Sequence, residues 1–100
     1  MLLYNITVGI DKEIEEEWKL WIKEIYLGAV METGLFTEYK IYKVLTHEDE
    51  SSVSYSIQLF SESIENVVAY LEKFAPSIVE KQREQFKNRH VVFNTLLEEI

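Results

Sequence analysis

Two amphipathic segments with helical spacing sit among four segments of alternating or β-branched character. One proline and no linker in 100 residues complete a pattern that predicts a single α+β domain on the ferredoxin-like βαββαβ plan. With 47% of its residues hydrophobic and 13% aromatic, such a chain can bury about 60 to 70% of the surface it exposes when unfolded, enough core to fold without staples.

The elements follow in order. Over residues 2–10 the even positions Leu2, Tyr4, Ile6, Val8 and Ile10 are apolar while Asn5 and Thr7 interrupt the odd set, as in a half-buried strand. Asp11 is placed to cap a helix whose first turns carry Glu13, Glu15, Glu16 and Glu17, where carboxylates complement the positive end of the dipole. Ile14, Trp18, Trp21, Ile22, Ile25, Tyr26, Ala29 and Val30 recur at three and four residues and form one apolar stripe, which Thr33-Gly34 terminates. Residues 36–46 are rich in aromatic and β-branched types, and the polar run His47-Glu48-Asp49-Glu50-Ser51-Ser52 suits a hairpin loop.

The third strand, 53–60, alternates most cleanly: Val53, Tyr55, Ile57 and Leu59 oppose Ser52, Ser54, Ser56 and Gln58. Ser61 or Ser63 caps a second helix with the stripe Ile64, Val67, Val68, Leu71 and Phe74. Pro76 predicts a break before a further helical piece bearing Ile78, Val79 and Phe86. Lys87-Asn88 turns the chain into a fourth strand over 90–97. Two crossovers of one hand then give a four-stranded antiparallel sheet in the order 4-1-3-2 with the helices on one face.

That plan leaves one sheet face bare. With Tyr4, Ile6, Val8, Val53, Tyr55, Ile57, Val91 and Phe93 assigned to the helices, the other face shows Asn5, Thr7, Ser54, Ser56, Gln58, His90, Val92 and Asn94, joined by Glu38, Lys40, Tyr42 and Val44. A solvated face is the ordinary pattern for a monomer. Strands of this length favour instead two sheets stacked as a dimeric α/β barrel, a homodimer whose face comprises Asn5, Ser54, Ser56, Gln58, Val92 and Asn94, with Val44, Val92 and Leu96 as apolar contacts.

Composition narrows the chemistry. Eighteen acidic against ten basic residues give a charge of -8, and Arg83, Lys87 and Arg89 are interleaved with Glu80 and Glu84, so no nucleic-acid partner is expected. The absence of cysteine excludes disulfides, thiol nucleophiles and thiolate metal sites, and fits a cytoplasmic location. The apolar start lacks a basic leader and a cleavage site, and no stretch reaches the roughly 18 to 20 residues of a membrane helix, so no membrane association is expected.

His47 beside Glu48, Asp49 and Glu50 has the residue types for a divalent cation but no fixed geometry, and a solvated loop is expected there, with no metal. Glu15, Glu16 and Glu17 point about 100° apart and cannot converge. No nucleophile elbow and no glycine-rich phosphate loop is present. Of the remaining candidates, Trp18, Trp21, Tyr26, Tyr4 and Tyr55 can line a cleft between helix one and the sheet, and His90 stands on the polar sheet face. Aromatic stripes usually serve as core, but Tyr4, Trp18 and Tyr55 combine apolar bodies with polar handles, and His90 can act as acid or base near neutrality. These four form the candidate ligand-binding set.

Tyr4-Asn5-Ile6-Thr7, the Trp18 and Trp21 pair, Thr33-Gly34-Leu35-Phe36, Tyr55-Ser56-Ile57-Gln58, Phe74-Ala75-Pro76, Phe86 and Thr95-Leu96-Leu97-Glu98-Glu99 span essentially the whole chain. Together they resemble an uncharacterised bacterial family known only as a domain of unknown function. The resemblance implies small ferredoxin-like, dimeric α/β-barrel proteins, within a superfamily that includes monooxygenases, isomerases, haem-binding enzymes and non-catalytic binding modules. It implies no catalytic residue. In that family's pattern histidines often stand where this chain has Tyr26 and Gln82. The combined expectation is a dimeric small-ligand-binding or structural module without a cofactor. The alternatives are a cofactor-free monooxygenase- or isomerase-like enzyme using the helix-sheet cleft, and an acidic protein-interaction subunit.

Overall fold

A computed structural model describes residues 1–46, 49–87 and 89–100. β1 (Leu2–Asp11) leads through a single 3₁₀ turn into a long helix built of α1 (Glu15–Trp21), a π-helical turn (Ile22–Tyr26) and α2 (Leu27–Glu32). β2 (Glu38–Val44) and β3 (Ser52–Ser61) follow, then α3 (Ile64–Lys73), α4 (Ala75–Gln85) and β4 (His90–Glu98). The sheet is antiparallel in the order β2-β3-β1-β4, which is the expected 4-1-3-2 read from the other edge and defines the ferredoxin-like fold. No helix among the described residues is long and apolar enough to cross a membrane.

The alternation predicted for β1 and β3 sets the core. Tyr4, Ile6, Val8 and Ile10 pair with Leu59, Ile57, Tyr55 and Val53 on one face, and all eight are buried beneath the helices. Each fully buried aliphatic side chain of this set contributes about 1.5 to 3 kcal/mol. Trp18, at 0% exposure, lies at 5.0 Å from the Tyr55 ring in a tilted stack, and Phe36 and Tyr70 meet edge-on at 5.1 Å.

The π turn changes which residues of the first helix face the sheet. Widening the hydrogen-bonded ring from i−4 to i−5 inserts about one residue per turn. Ile25 therefore rotates to solvent and Leu27 into the core, beside Tyr26, which stays on the buried side as the stripe predicts. Gly34 ends the helix at φ +73°, its N–H donating to the Met31 carbonyl at 3.1 Å, as the Thr33-Gly34 signal predicted. Asp11 does not cap. Its carboxylate accepts from Arg89 Nε at 2.9 Å, while Arg89 Nη2 donates to Glu13 at 2.8 Å, so a guanidinium fork ties the end of β1 to the start of β4.

Ser63, by contrast, caps α3 by accepting from the Asn66 N–H at 3.2 Å. The helical layer breaks at Phe74 and restarts with Pro76 in the first turn of α4, where the missing N–H costs nothing. The stripe expected on α3 is rotated: Val67 and Tyr70 are buried, whereas Ile64, Val68, Leu71 and Phe74 are exposed. Tyr70 displaces them because it completes the aromatic cluster with Tyr4 and Phe36.

β4 needs a second correction. Directly opposed residues of an antiparallel pair share a face, and the register joins Ile10 to His90, Val8 to Val92, Ile6 to Asn94 and Tyr4 to Leu96. His90, Val92, Asn94 and Leu96 therefore lie on the helix side, and Val91 and Phe93 on the bare face, the reverse of the expected phase. Asn5, Thr7, Ser54, Ser56 and Gln58 do share the bare face, with Lys40, Tyr42 and Val44 opposite them on β2. The expected dimer face thus loses Val92 and Asn94, and its apolar contacts lose Val92 and Leu96. His47, Glu48 and Asn88 lie outside the described residues, so the loop and turn expected there are described only in part.

Candidate functional site

The helices cover β1 and β3 more completely than β4, whose residues are exposed or half-buried along its length. A cleft of about 330 Å³ opens there between α4, the π turn and the helix side of β1 and β4. Tyr4, Tyr26, Tyr70 and Gln82 form its inner wall; His90, Val92 and Asn94 line it from β4, and Val79 and Arg83 from α4. This volume is at the lower end of the range for organic-ligand pockets. Although the chain carries 18 acidic residues, none of the described ones lines the cleft.

Gln82 is the distinctive member. Its place in the sequence Ala75, Ile78, Gln82, Phe86 puts an amide on the buried stripe of α4, where 5% of its surface is exposed and Oε1 has no hydrogen-bond partner among the described residues. A buried amide oxygen without a donor costs about 1 to 3 kcal/mol. Such groups persist where something outside the fold answers them.

The tyrosines beside it are held as neutral phenols. Burial pushes Tyr26 well above the ordinary phenol value, with the neighbouring Tyr70 and Tyr4 phenols adding to the shift. Burial likewise raises Tyr70, and it raises Tyr4. His90 Nδ1 lies 3.2 Å from the Phe86 carbonyl. A carbonyl can only accept, so Nδ1 carries a proton there, and in the neutral ring Nε2 is then the acceptor.

The four residues expected to form one ligand site divide between two places. Tyr4 and His90 line this cleft, whereas Trp18 and Tyr55 lie toward the opposite edge of the sheet, between α1 and β2. There the Tyr55 hydroxyl donates to Glu15 Oε2 at 2.5 Å, and Lys43 Nζ stands 3.4 Å from the same oxygen. The Tyr55 bond first, and the lysine after it, holds the Glu15 carboxyl below its usual range. Tyr26 and Gln82, the positions singled out by the family resemblance, both line the cleft. Reading Gln82 from the residues required only noticing a polar side chain midway between Ile78 and Phe86 at helical spacing.

Among the described residues no group of three or more His, Asp or Glu could hold a metal ion. The Asp49 carboxylate is engaged by the backbone N–H groups of Ser51 and Ser52, each at 2.8 Å, which shape the hairpin and hold that carboxyl below its usual range.

Solved structures share this ferredoxin-like architecture. One, described as an antibiotic biosynthesis monooxygenase-like protein from Deinococcus radiodurans, aligns over 100% of this chain and 93% of its own at a TM-score of 0.71 and 13% identity. A variant of MhuD, with two manganese protoporphyrin IX molecules per active site, aligns over 100% of this chain and 95% of its own at a TM-score of 0.73 and 13% identity. A dimeric ferredoxin-like protein from an uncultured marine organism aligns over 100% and 95% at 0.66 and 16%. The chain itself belongs to the family described as Domain of unknown function (DUF4286), which it matches over residues 1–100. No curated protein sequence matches it.

Two outcomes follow from the cleft's inner wall. Replacing Gln82 with leucine removes an unanswered acceptor at similar volume, so Gln82→Leu raises the free energy of unfolding by about 1 kcal/mol, or about 4 to 8 °C in Tm; a loss of that size would show the amide to be satisfied within the fold. For the tyrosines, folded and unfolded chains both keep the phenolic proton below pH about 10, and stability is complete there. As pH rises further the unfolded chain releases protons that folded Tyr4, Tyr26 and Tyr70 retain, so stability falls. The ¹³Cζ resonance of Tyr26 accordingly stays at its phenol position until the fold is lost; a phenolate shift with native circular dichroism would contradict this.

Proposed function

We propose that this chain is a dimeric binding module for a small organic ligand that carries an O–H or N–H donor on an aromatic or otherwise planar body. The observation that carries the reading is Gln82, whose buried Oε1 is unanswered, in the wall of a cleft lined also by tyrosines and aliphatic groups, with His90, Asn94 and Arg83. A donor reaching that oxygen replaces the water lost on burial, while Tyr4, Tyr26 and Val79 supply apolar and ring contact. The cleft's lack of carboxylates among the described residues, with Arg83 at its edge, favours a neutral or weakly acidic molecule such as a phenol or enol. That a neighbour of this fold holds planar macrocycles in its active site is consistent with a planar guest, though this cleft is suited to a smaller one.

Dimerisation rests on the bare face. Its centre is neutral and internally bonded: Ser56 Oγ donates to Asn5 Oδ1 at 2.6 Å, and Asn5 Nδ2 donates to Thr7 at 3.0 Å. Along β4 it exposes Val91 at 61% and Phe93 at 67%, with Leu97 beyond them. An acidic chain that keeps the centre of this face free of charge, with Glu38 and Lys40 set on its outer strand, has a surface on which a second copy can sit. One neighbour of the fold is itself described as dimeric.

Catalysis on the bound molecule without a cofactor is the second reading. It is favoured by one observation, the His90 Nε2 acceptor that the Phe86 contact leaves in the cleft wall. Against it, Tyr26 and Gln82 occupy positions of the family pattern with groups that do not exchange protons near neutrality.

The ligand reading is tested with 4-fluorophenol and 4-fluoroanisole, which differ in the donor alone, followed by ¹⁹F NMR. Wild-type protein binds the phenol at least tenfold more tightly, and Gln82→Leu erases the preference, because a site built to accept a hydrogen bond rejects the analogue lacking it; equal binding of both probes would refute the reading. Light scattering tests the dimer: the wild type elutes at twice the 11.9 kDa chain mass and Phe93→Asp at the chain mass. A wild-type monomer at micromolar concentration would overturn that part.

A further inference from the structure

Among the described residues two buried side-chain polar atoms lack partners, Gln82 Oε1 and Trp18 Nε1. Each lines a different cavity, and their needs are opposite: the amide oxygen requires a donor, the indole N–H an acceptor. The second cavity, about 160 Å³, lies between α1, the π turn and the β2–β3 edge of the sheet, and is lined by Trp18, Lys19, Ile22, Lys23, Ile41, Lys43 and Tyr55. We propose that it is a separate binding site for a small planar monocarboxylate, independent of the ligand assigned to the Gln82 cleft.

Charge, size and donors all point to that class. Three of the chain's ten lysines and arginines line this one small cavity in a protein of net charge -8. Lys19 pairs with Glu16 at 2.9 Å and Lys43 with Glu15 at 3.4 Å, whereas Lys23 makes no ion pair among the described residues. Among the described residues Lys23 is thus the lining cation without a carboxylate, and one carboxylate on a guest can pair with it. Trp18 borders the cavity with its N–H buried and unanswered, so a guest reaches it only by displacing the flexible lysine side chains around it, and a carboxylate oxygen is the strongest acceptor a small molecule then offers. The indole and Tyr55 rings, 5.0 Å apart, together with Ile22 and Ile41 give an apolar wall for a flat body. A cavity of about 150 Å³ accommodates one benzene ring, which sets the size of the guest.

Benzoate is the probe, benzamide its neutral counterpart, and the indole N–H resonances of Trp18 and Trp21 in ¹⁵N-labelled full-length protein are the readout. The two signals are told apart with Trp21→Phe. Benzoate shifts the Trp18 signal saturably and binds at least fivefold more tightly than benzamide. Lys23→Met, a change at an exposed position that leaves the fold intact, weakens benzoate about two- to fivefold, as expected for a solvent-screened charge. An unmoved Trp18 signal, equal affinity for benzamide, or no effect of Lys23→Met would each overturn the proposal. So would benzoate shifts confined to Tyr4 and Gln82, which would move the ligand to the other cleft. Because Gln82→Leu leaves benzoate binding unchanged, failure of this site and failure of the phenol site are read separately.

Discussion

β1 is hydrogen-bonded on both edges, to β3 along one and β4 along the other, and its strict alternation dictates what each neighbour must do. Tyr4, Ile6, Val8 and Ile10 turn one face into core. Through direct opposition they fix the sides taken by Val53, Tyr55, Ile57 and Leu59 on β3, and by His90, Val92, Asn94 and Leu96 on β4. A slip of one residue would bury Asn5 and Thr7 and expose four apolar side chains, so the register is strongly specified. The helical layer then satisfies β1 and β3 but extends only partly over β4. That incomplete cover creates the cleft, and the same strand presents Val91 and Phe93 on the opposite face.

The layer's own irregularities shape both cavities. The π turn includes Tyr26, buried at the point where the cleft needs an inner wall, and the same turn supplies Ile22 to the lysine-lined cavity toward the other edge of the sheet. Insertions of this kind cost helix regularity and recur at functional sites. The break at Phe74 similarly lets α4 take its own direction, bringing Gln82 toward β4. Gln82 and Trp18 each leave a buried polar atom unanswered among the described residues. Sites that weaken the isolated fold while favouring a guest are the expected places for function.

Most of the architecture was legible because period-two and helical spacings are local signals. β1, β3, the first helix, its glycine stop, the Ser63 cap and the break at Pro76 all followed from neighbours in the chain. β4 was different. Its doublets Val91-Val92 and Leu96-Leu97 put apolar residues on both faces, so alternation gave no phase, and only pairing with β1 placed His90 and Asn94 toward the helices. Asp11 looked like a cap but went to Arg89, a partner 78 residues away. Ile25 fitted the stripe until the π turn rotated it outward. Tyr4 and Trp18 were expected in one cleft between helix one and the sheet, but nothing local says that the cavity of one lies toward the β4 edge and that of the other toward the β2 edge. Gln82 showed a readable signal, a polar residue at a core position, that the residue-level reading passed over.

The central claim is that the cleft beside β4 exists to hold a donor-bearing organic molecule against Gln82. Native mass spectrometry of wild-type and Gln82→Leu protein, purified identically and without added ligand, tests it most directly. The account predicts a non-covalent organic adduct on the wild type that is lost from the variant while both retain the same oligomeric mass. Equal adduct on both proteins, or none on either, would contradict it.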